Sequence, residues 1–301
     1  MNYLLHLFIY FCVYATIGIG LNVVVGYCGL LTLAQAAFFA IGCYSYALGS
    51  LVFHWGLFGA LLCSTVLAVL FSLFVSVPAW RLRGDFFVMT TLAVQALLVS
   101  VLNNWSQVGR PIGSLENLTN GPSGLPGIPT PVVFNIQIDT KSGFAVLSGA
   151  VLGFYYLISK LLLKAPWGRT LLALKDDELA SRGLGKNVRV LKVQAFAISS
   201  VISASAGIIY AAYVGYIDPT VASLDNSILM ISMLIIGGVG TLSGPLLGAA
   251  LLIGIPEVLR FVSVQDSMVG SIRLLAFGLL QLILMHVRPQ GLLGRMHWEE
   301  T

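Results

Sequence analysis

MNYLLHLFIYFCVYATIGIGLNVVVGYCGLLTLAQAAFFAIGCYSYALGSLVFHWGLFGALLCSTVLAVLFSLFVSVPAW, residues 1–80, contains no Asp, Glu, Lys or Arg; the first charged side chain is Arg81. Only the imidazoles of His6 and His54 break the run. A water-soluble chain cannot sustain such a stretch, because it leaves too little polar surface to face water. A hydrocarbon core about 30 Å thick is crossed by about 20 apolar residues, so this stretch holds up to about three passes. No basic residue precedes the first apolar run, so residues 1–11 read as mature chain rather than as a secretory leader.

The rest of the chain keeps this character. Of 301 residues, 57% are hydrophobic and 9% charged, whereas a soluble domain carries about 25% charged residues. Apolar segments fall at 3–22, 26–50, 57–79, 85–103, 143–163, 192–216, 226–258 and 268–287. The expected fold is therefore all-α: one transmembrane domain over residues 1–301, a polytopic helical bundle with eight or nine membrane-embedded segments. Cys12, Cys28, Cys43 and Cys63 sit inside apolar runs with no CxxC pair, so they read as packing residues and no metal or other cofactor is expected. A net charge of +4 is too small to point to nucleic acid.

Lys and Arg in short loops are retained on the cytoplasmic side. The loop 164–191 and its flanks hold Lys160, Lys164, Arg169, Lys175, Arg182, Lys186, Arg189 and Lys192 against Asp176, Asp177 and Glu178, which places it in the cytoplasm. Parity puts Arg81, Arg83 and the carboxyl-terminal Arg288 and Arg295 on the same side. Residues 104–142 then form an external loop, rich in Gly, Pro, Asn and Thr. The amino terminus is external if segment 26–50 crosses fully and cytoplasmic if that segment re-enters.

Segment 226–258 is too long for one pass and is interrupted by Gly237-Gly238-Val239-Gly240 and Gly244-Pro245. Two short helices joined inside the membrane fit it, and such a break needs protein or a water-filled cavity to satisfy its backbone. Gly26-Tyr27-Cys28-Gly29, leading to Leu33-Ala34-Gln35-Ala36-Ala37, has a similar texture. Interrupted segments in corresponding positions of two halves suggest inverted repeats with a translocation path between them. The alternative for these glycines is close helix packing, as in the Gly240, Gly244, Gly248 ladder.

Engine-like chemistry is missing from the sequence. Gly183-Leu184-Gly185-Lys186-Asn187 lacks the upstream Gly and the Ser or Thr of a nucleotide-binding loop, and no helix carries a carboxylate pair, so no enzyme is expected. Asp85 sits at a helix start, Glu257 and Arg260 can pair at i and i+3, and Arg273 can snorkel outward or face a path. No proton relay emerges, which favours a pore driven by an external motor over an ion-coupled carrier or a channel.

Trp167 to Ala180 alternates apolar and charged residues at helical spacing, predicting a short amphipathic helix that Gly183 and Gly185 stop. Leu171, Leu172, Leu174 and Leu179 form its expected apolar face. Such a helix can lie on anionic lipid or dock in a groove of a soluble partner; its three successive acids favour docking.

The string from Gly168 to Ala180, continuing through Gly183-Leu184-Gly185-Lys186-Asn187-Val188, resembles the coupling loop of the branched-chain amino acid ABC transporter permeases. Gly26 to Gly42, Leu82 to Phe87, Leu118 to Pro129 and Gly237 to Pro245 resemble further blocks of that family, so the likeness spans nearly the whole chain. Lys175, Asp177 and Gln35 depart from the residues common there.

The resemblance implies a multi-pass permease of the bacterial inner membrane, working by alternating access. Its implied partners are a second related permease, two cytoplasmic ATPase subunits, an extracytoplasmic substrate-binding protein and membrane lipid, with branched-chain or related amino acids as cargo. Urea, short amides or organic acids are the alternative cargo. By the same resemblance, Arg169, Lys175, Asp176, Asp177, Glu178, Leu179, Ala180 and Gly183 couple to the ATPase. Thr32, Gln35, Gly237, Gly238, Gly240 and Ser243 are candidates for the translocation path, where small polar groups and open backbone suit a zwitterion.

Overall fold

The uncharged amino-terminal run folds as α1 (Asn2–Asn22), which widens into a π-helical turn at Val23–Tyr27 before the chain leaves helix altogether. This computed structural model describes residues 2–78, 82, 84–107, 109–114, 116–133, 136–260, 272, 275, 278, 279, 282 and 291–293. Most of the segment expected at 268–287 lies outside the described residues, as do the basic residues Arg81, Arg83, Arg273, Arg288 and Arg295 and the side chain of Arg260.

After an extended stretch come α2 (Gln35–Leu51), α3 (Leu57–Ser76) and α4 (Asp85–Asn104). A non-helical segment follows, containing the short strands β1 (Leu125–Pro126), β2 (Val132–Val133) and β3 (Ile136–Gln137). The chain continues as α5 (Lys141–Lys164), α6 (Pro166–Asp176), α7 (Glu178–Gly183) and α8 (Val188–Val214). It then forms β4 (Tyr216–Ile217), α9 (Leu224–Gly237) and α10 (Gly244–Arg260). Among the described residues, five helices are long and apolar enough to cross a membrane: Tyr3–Tyr27, Leu57–Ser76, Asp85–Asn104, Lys141–Lys164 and Val188–Val214. With α2, α9 and α10, this is the expected polytopic all-α bundle.

The two ends of the bundle are distinct. At one, His6 near the start of α1 hydrogen-bonds Tyr213 near the end of α8 at 2.6 Å. At this end too, β4 pairs antiparallel with β1, Leu125 opposite Ile217 and Pro126 opposite Tyr216. At the other end, the turn after α1 meets α6, where Lys175 Nζ donates to Gly26 O at 2.9 Å. The amino terminus therefore shares its end with residues 104–142, and segment 26–50 runs from the α6 end to the opposite one. There Tyr46 Oη donates to Pro129 O at 2.9 Å.

Viewed this way, the fold contains inverted halves. α1 runs toward the α6 end, α2 returns and α3 runs back; α8, α9 and α10 make the same three moves in the opposite sense. Val25-Gly26-Tyr27 closes the first helix of one half and Val214-Gly215-Tyr216 that of the other. Ala34 caps α2 seven residues after Tyr27, and Ser223 caps α9 seven residues after Tyr216. The true counterpart of the first break is thus Gly215 to Ser223, and not the Gly237–Gly240 string. The turn joining α9 to α10 lies at the α6 end, beside Asn22 and Gly26, rather than midway along the helices. The reason is length: the 14 residues of α9 span about 21 Å, enough to run from mid-bundle to one end and no more.

Close approach of α2 and α8 holds the halves together. A Cβ on Gly42 would stand 1.9 Å from Ala204 O, and one on Gly207 would stand 2.2 Å from Phe39 O. Gly207→Leu is expected to abolish accumulation of folded protein or to cut its melting temperature sharply, because overpacking costs about 1–3 kcal/mol or more. Gly153→Leu, on open surface of α5, should leave the thermal melt unchanged.

Candidate functional site

Two half-helices begin near mid-bundle, and their backbone ends need partners there. Gln95, midway along α4, supplies several. Its Nε2 donates to Ala222 O at 2.9 Å and to Ser223 O at 2.8 Å, while its Oε1 accepts from Ser227 Oγ at 3.0 Å. Ser227 Oγ accepts in turn from the Ala36 N–H at 3.2 Å, so the first turns of α2 and α9 are joined directly. Gln35 Nε2 donates to Ser203 Oγ, and Ser199 Oγ donates to Gln35 Oε1 at 3.3 Å. Thr91 Oγ1 accepts from Leu33 N, and Thr32 Oγ1 from Ala34 N. All of these side chains are buried.

Thr32 and Gln35 are thus brought together in a closed polar node whose described groups satisfy one another. Gly237, Gly238, Gly240 and Ser243 sit elsewhere, in the α9–α10 turn. Asn22 secures that turn, donating to Thr241 O at 2.8 Å and accepting from Gly240 N at 2.9 Å. Gly26 must lack a side chain, since a Cβ there would meet Asn22 Oδ1 at 2.0 Å and Gly240 N at 2.8 Å. A cavity of about 460 Å³ opens between α2, α3 and α4, lined by residues such as Leu48, Phe71, Phe74 and Leu98. Its walls offer almost no partner for a zwitterion.

The loop between α5 and α8 holds two short helices rather than one. Asp177 leaves helical conformation and accepts hydrogen bonds from Leu179 N at 2.7 Å and Ala180 N at 3.0 Å, capping α7. The expected apolar face divides accordingly. Leu171 and Leu174 are buried in one cluster with Val23, Val24, Cys28 and Ala34, whereas Leu172 and Leu179 are exposed.

The charged residues divide in the same way. Lys175 is half-buried and turns inward to Gly26, and burial lowers its pKa from the ordinary lysine value, against a smaller opposing effect of Asp176. Glu178 pairs with Arg182 and with Lys192 of α8, the latter at 3.2 Å. Lys192 itself is only 3% exposed. Arg169, Asp176, Asp177, Ala180 and Gly183 face outward with Leu172, Leu179 and Leu184. Glu257 accepts a hydrogen bond from Tyr3.

Asn22, Gln95 and Ser227 are the structural residues that sequence reasoning passed over, and it counted Lys192 only among the basic residues that orient the loop. Asn22 and Gln95 carried a usable signal, an amide inside an otherwise apolar helix, where an unpaired polar group would be costly.

A family model described as "Branched-chain amino acid transport system / permease component" matches residues 3–286. The chain is similar to the high-affinity branched-chain amino acid transport system permease protein LivM of Escherichia coli, 32% identical over 93% of this chain and 68% of the relative. It is 24% identical to a probable LivM of Methanocaldococcus jannaschii over 78% of this chain and 67% of that protein. It is also 29% identical to the autoinducer 2 import system permease protein LsrC of Yersinia enterocolitica, over 64% of this chain and 53% of the relative. No solved structure matches.

Gln95→Leu should lower the thermal stability of the purified chain by about 2–4 kcal/mol, because it strips two buried carbonyls of their donor and a hydroxyl of its acceptor. Gln95→Glu, which keeps the acceptor and loses the donor, should also destabilise. A calorimetric or fluorescence melt in detergent reads both.

Proposed function

Because the chain belongs to the branched-chain amino acid transport permease family, whose members are membrane subunits of ABC importers, we propose that it moves branched-chain or related amino acids inward by alternating access. Separate ATPase subunits supply the work. The observation that carries this reading is the α6–α7 loop, which projects exposed leucines among charged residues from a base fixed by Leu171, Leu174, Lys175 and Glu178. Mobile loops make poor levers; a docking face on a rigid base can pass a displacement onward.

In this reading the α6 end is cytoplasmic, and the opposite end, with the amino terminus and residues 104–142, is external. The basic residues of 160–192 support that orientation. The partners are two ATPase subunits, a second permease and an extracytoplasmic binding protein. Thr32, Gln35, Gln95 and Ser227 are consumed in holding the fold, and the described cavity is apolar. The conduit is therefore completed against the second permease, with Gly237, Gly238, Gly240 and Ser243 near its inner mouth. The likeness to an autoinducer 2 permease favours a second reading, in which the same importer carries a small polar solute other than an amino acid.

Coexpression with candidate ATPase and second-permease subunits tests the docking face. Leu179→Asp, at a residue 66% exposed, should cut ATPase co-purification by about tenfold or more while leaving the permease's melt unchanged, as removal of a buried interface anchor does. Deleting 171–180 is a poorer test, since it also removes Leu171, Leu174 and Lys175 from the permease interior. Undiminished recovery of the ATPase with Leu179→Asp would reject this face. Uptake of labelled leucine, isoleucine and valine into proteoliposomes, with the binding protein supplied, decides the cargo. Transport of none of the three would shift it to the second reading.

A further inference from the structure

Two carbonyls at equivalent positions of the inverted halves are each held by an element outside the long helices. Gly26 O accepts from Lys175 Nζ at 2.9 Å. Gly215 O accepts from the backbone N–H of Ile128 at 3.1 Å. Each glycine precedes a tyrosine at the end of the first helix of its half, just ahead of the irregular segment that leads to a half-helix. Each break is therefore gripped at its entry, from its own end of the bundle.

Neither grip is a single bond. At the α6 end the stem of Lys175 covers Gly29, where a Cβ would come within 2.8 Å of Lys175 Cγ. At the opposite end β1 pairs with β4, and a Cβ on Gly124 would stand 2.5 Å from Ile217 O. The same loop reaches the first half through the Tyr46–Pro129 hydrogen bond. The two routes converge where Ala36 N donates to Ser227 Oγ.

We propose that residues 121–129 are a second coupling element, the counterpart of α6, passing the docking of a soluble protein at their end into the second break. The identity of that protein, an extracytoplasmic binding protein, rests on the importer reading; the grip does not. Close-packed, hydrogen-bonded contacts switch between discrete arrangements rather than yielding gradually, so a displacement of either handle is felt at the node.

Hydrogen exchange on the purified chain in lipid nanodiscs tests the grips. Lys175→Met keeps the stem and removes the donor, whereas Lys175→Arg keeps a donor. Lys175→Met should speed exchange at residues 28–34 by about tenfold while 216–223 stay near wild type, and Gly124→Ala should do the reverse, since each opens one local unit. Lys175→Arg should stay near wild type.

In the assembled transporter, Gly124→Ala should lower binding-protein-stimulated ATP hydrolysis by about tenfold and leave basal hydrolysis unchanged, as loss of one coupling contact does. Tyr46→Phe, a milder change that preserves shape, should lower the stimulation in the same sense. Full stimulation in both variants overturns the proposal, as does unchanged exchange at 216–223 in Gly124→Ala. A wild-type chain that recruits no ATPase would instead overturn the importer reading, and would be seen before any variant is compared.

Discussion

A helix that begins in the middle of a membrane leaves unpaired N–H groups there, and the chain entering it leaves unpaired carbonyls; lipid can satisfy neither. In this protein that demand is met by one side chain above all. Gln95 donates to the two carbonyls before α9 and accepts from Ser227, whose oxygen accepts from the first turn of α2. Remove the amide, and the carbonyls before α9 lose their donor while Ser227, which also holds α2, loses its acceptor. The inverted halves are thus joined by shared hydrogen bonds as well as by the glycine-lined contact of α2 with α8.

From this node outward, the structure becomes a lever system. α6 and α7 are not a floating amphipathic segment. Leu171 and Leu174 embed them in the cluster that includes the turn after α1, Lys175 ties them to Gly26, and Glu178 ties them to α8 through Lys192. Lys192 is almost fully buried, and its Nζ meets the Glu178 carboxylate at 3.2 Å. The pair thereby sets the angle of α7 against α8. What remains outward is a patch of leucines with charges of both signs, a composition suited to a specific protein groove more than to a lipid surface.

Most of the fold was legible in the sequence, because solvent dictates it. Eighty residues without a formal charge force helices into lipid, and the basic cluster at 160–192 marks the loop. The first break was legible from its glycines. The second was not, because Gly215 to Ser223 carries Asp218 and Pro219 and reads like an ordinary surface turn between two passes. Nothing in its composition says that it descends to Gln95.

The division of the coupling loop was hidden for a related reason. Periodicity placed Leu171, Leu172, Leu174 and Leu179 on one face, but Asp177 caps a second helix, and that change of direction turns Leu179 outward while Leu174 stays buried. Lys175 and Glu178 look in sequence like solvated charges; the structure spends both on internal ties. Periodicity assumes a continuous helix, so a cap that redirects the chain invalidates it for every residue beyond.

The inverted arrangement has one further physical consequence. Half-helices that start at a common level and run to opposite ends place their positive ends together, where polar groups must meet both. Ser227 accepts from the first turn of α2, while α9 is capped by its own Ser223, whose backbone carbonyl Gln95 holds. The Ala36–Ser227 bond joins the two starts, so a shift of one half relative to the other requires that bond to re-form. This is the coupling that a machine driven from both ends requires.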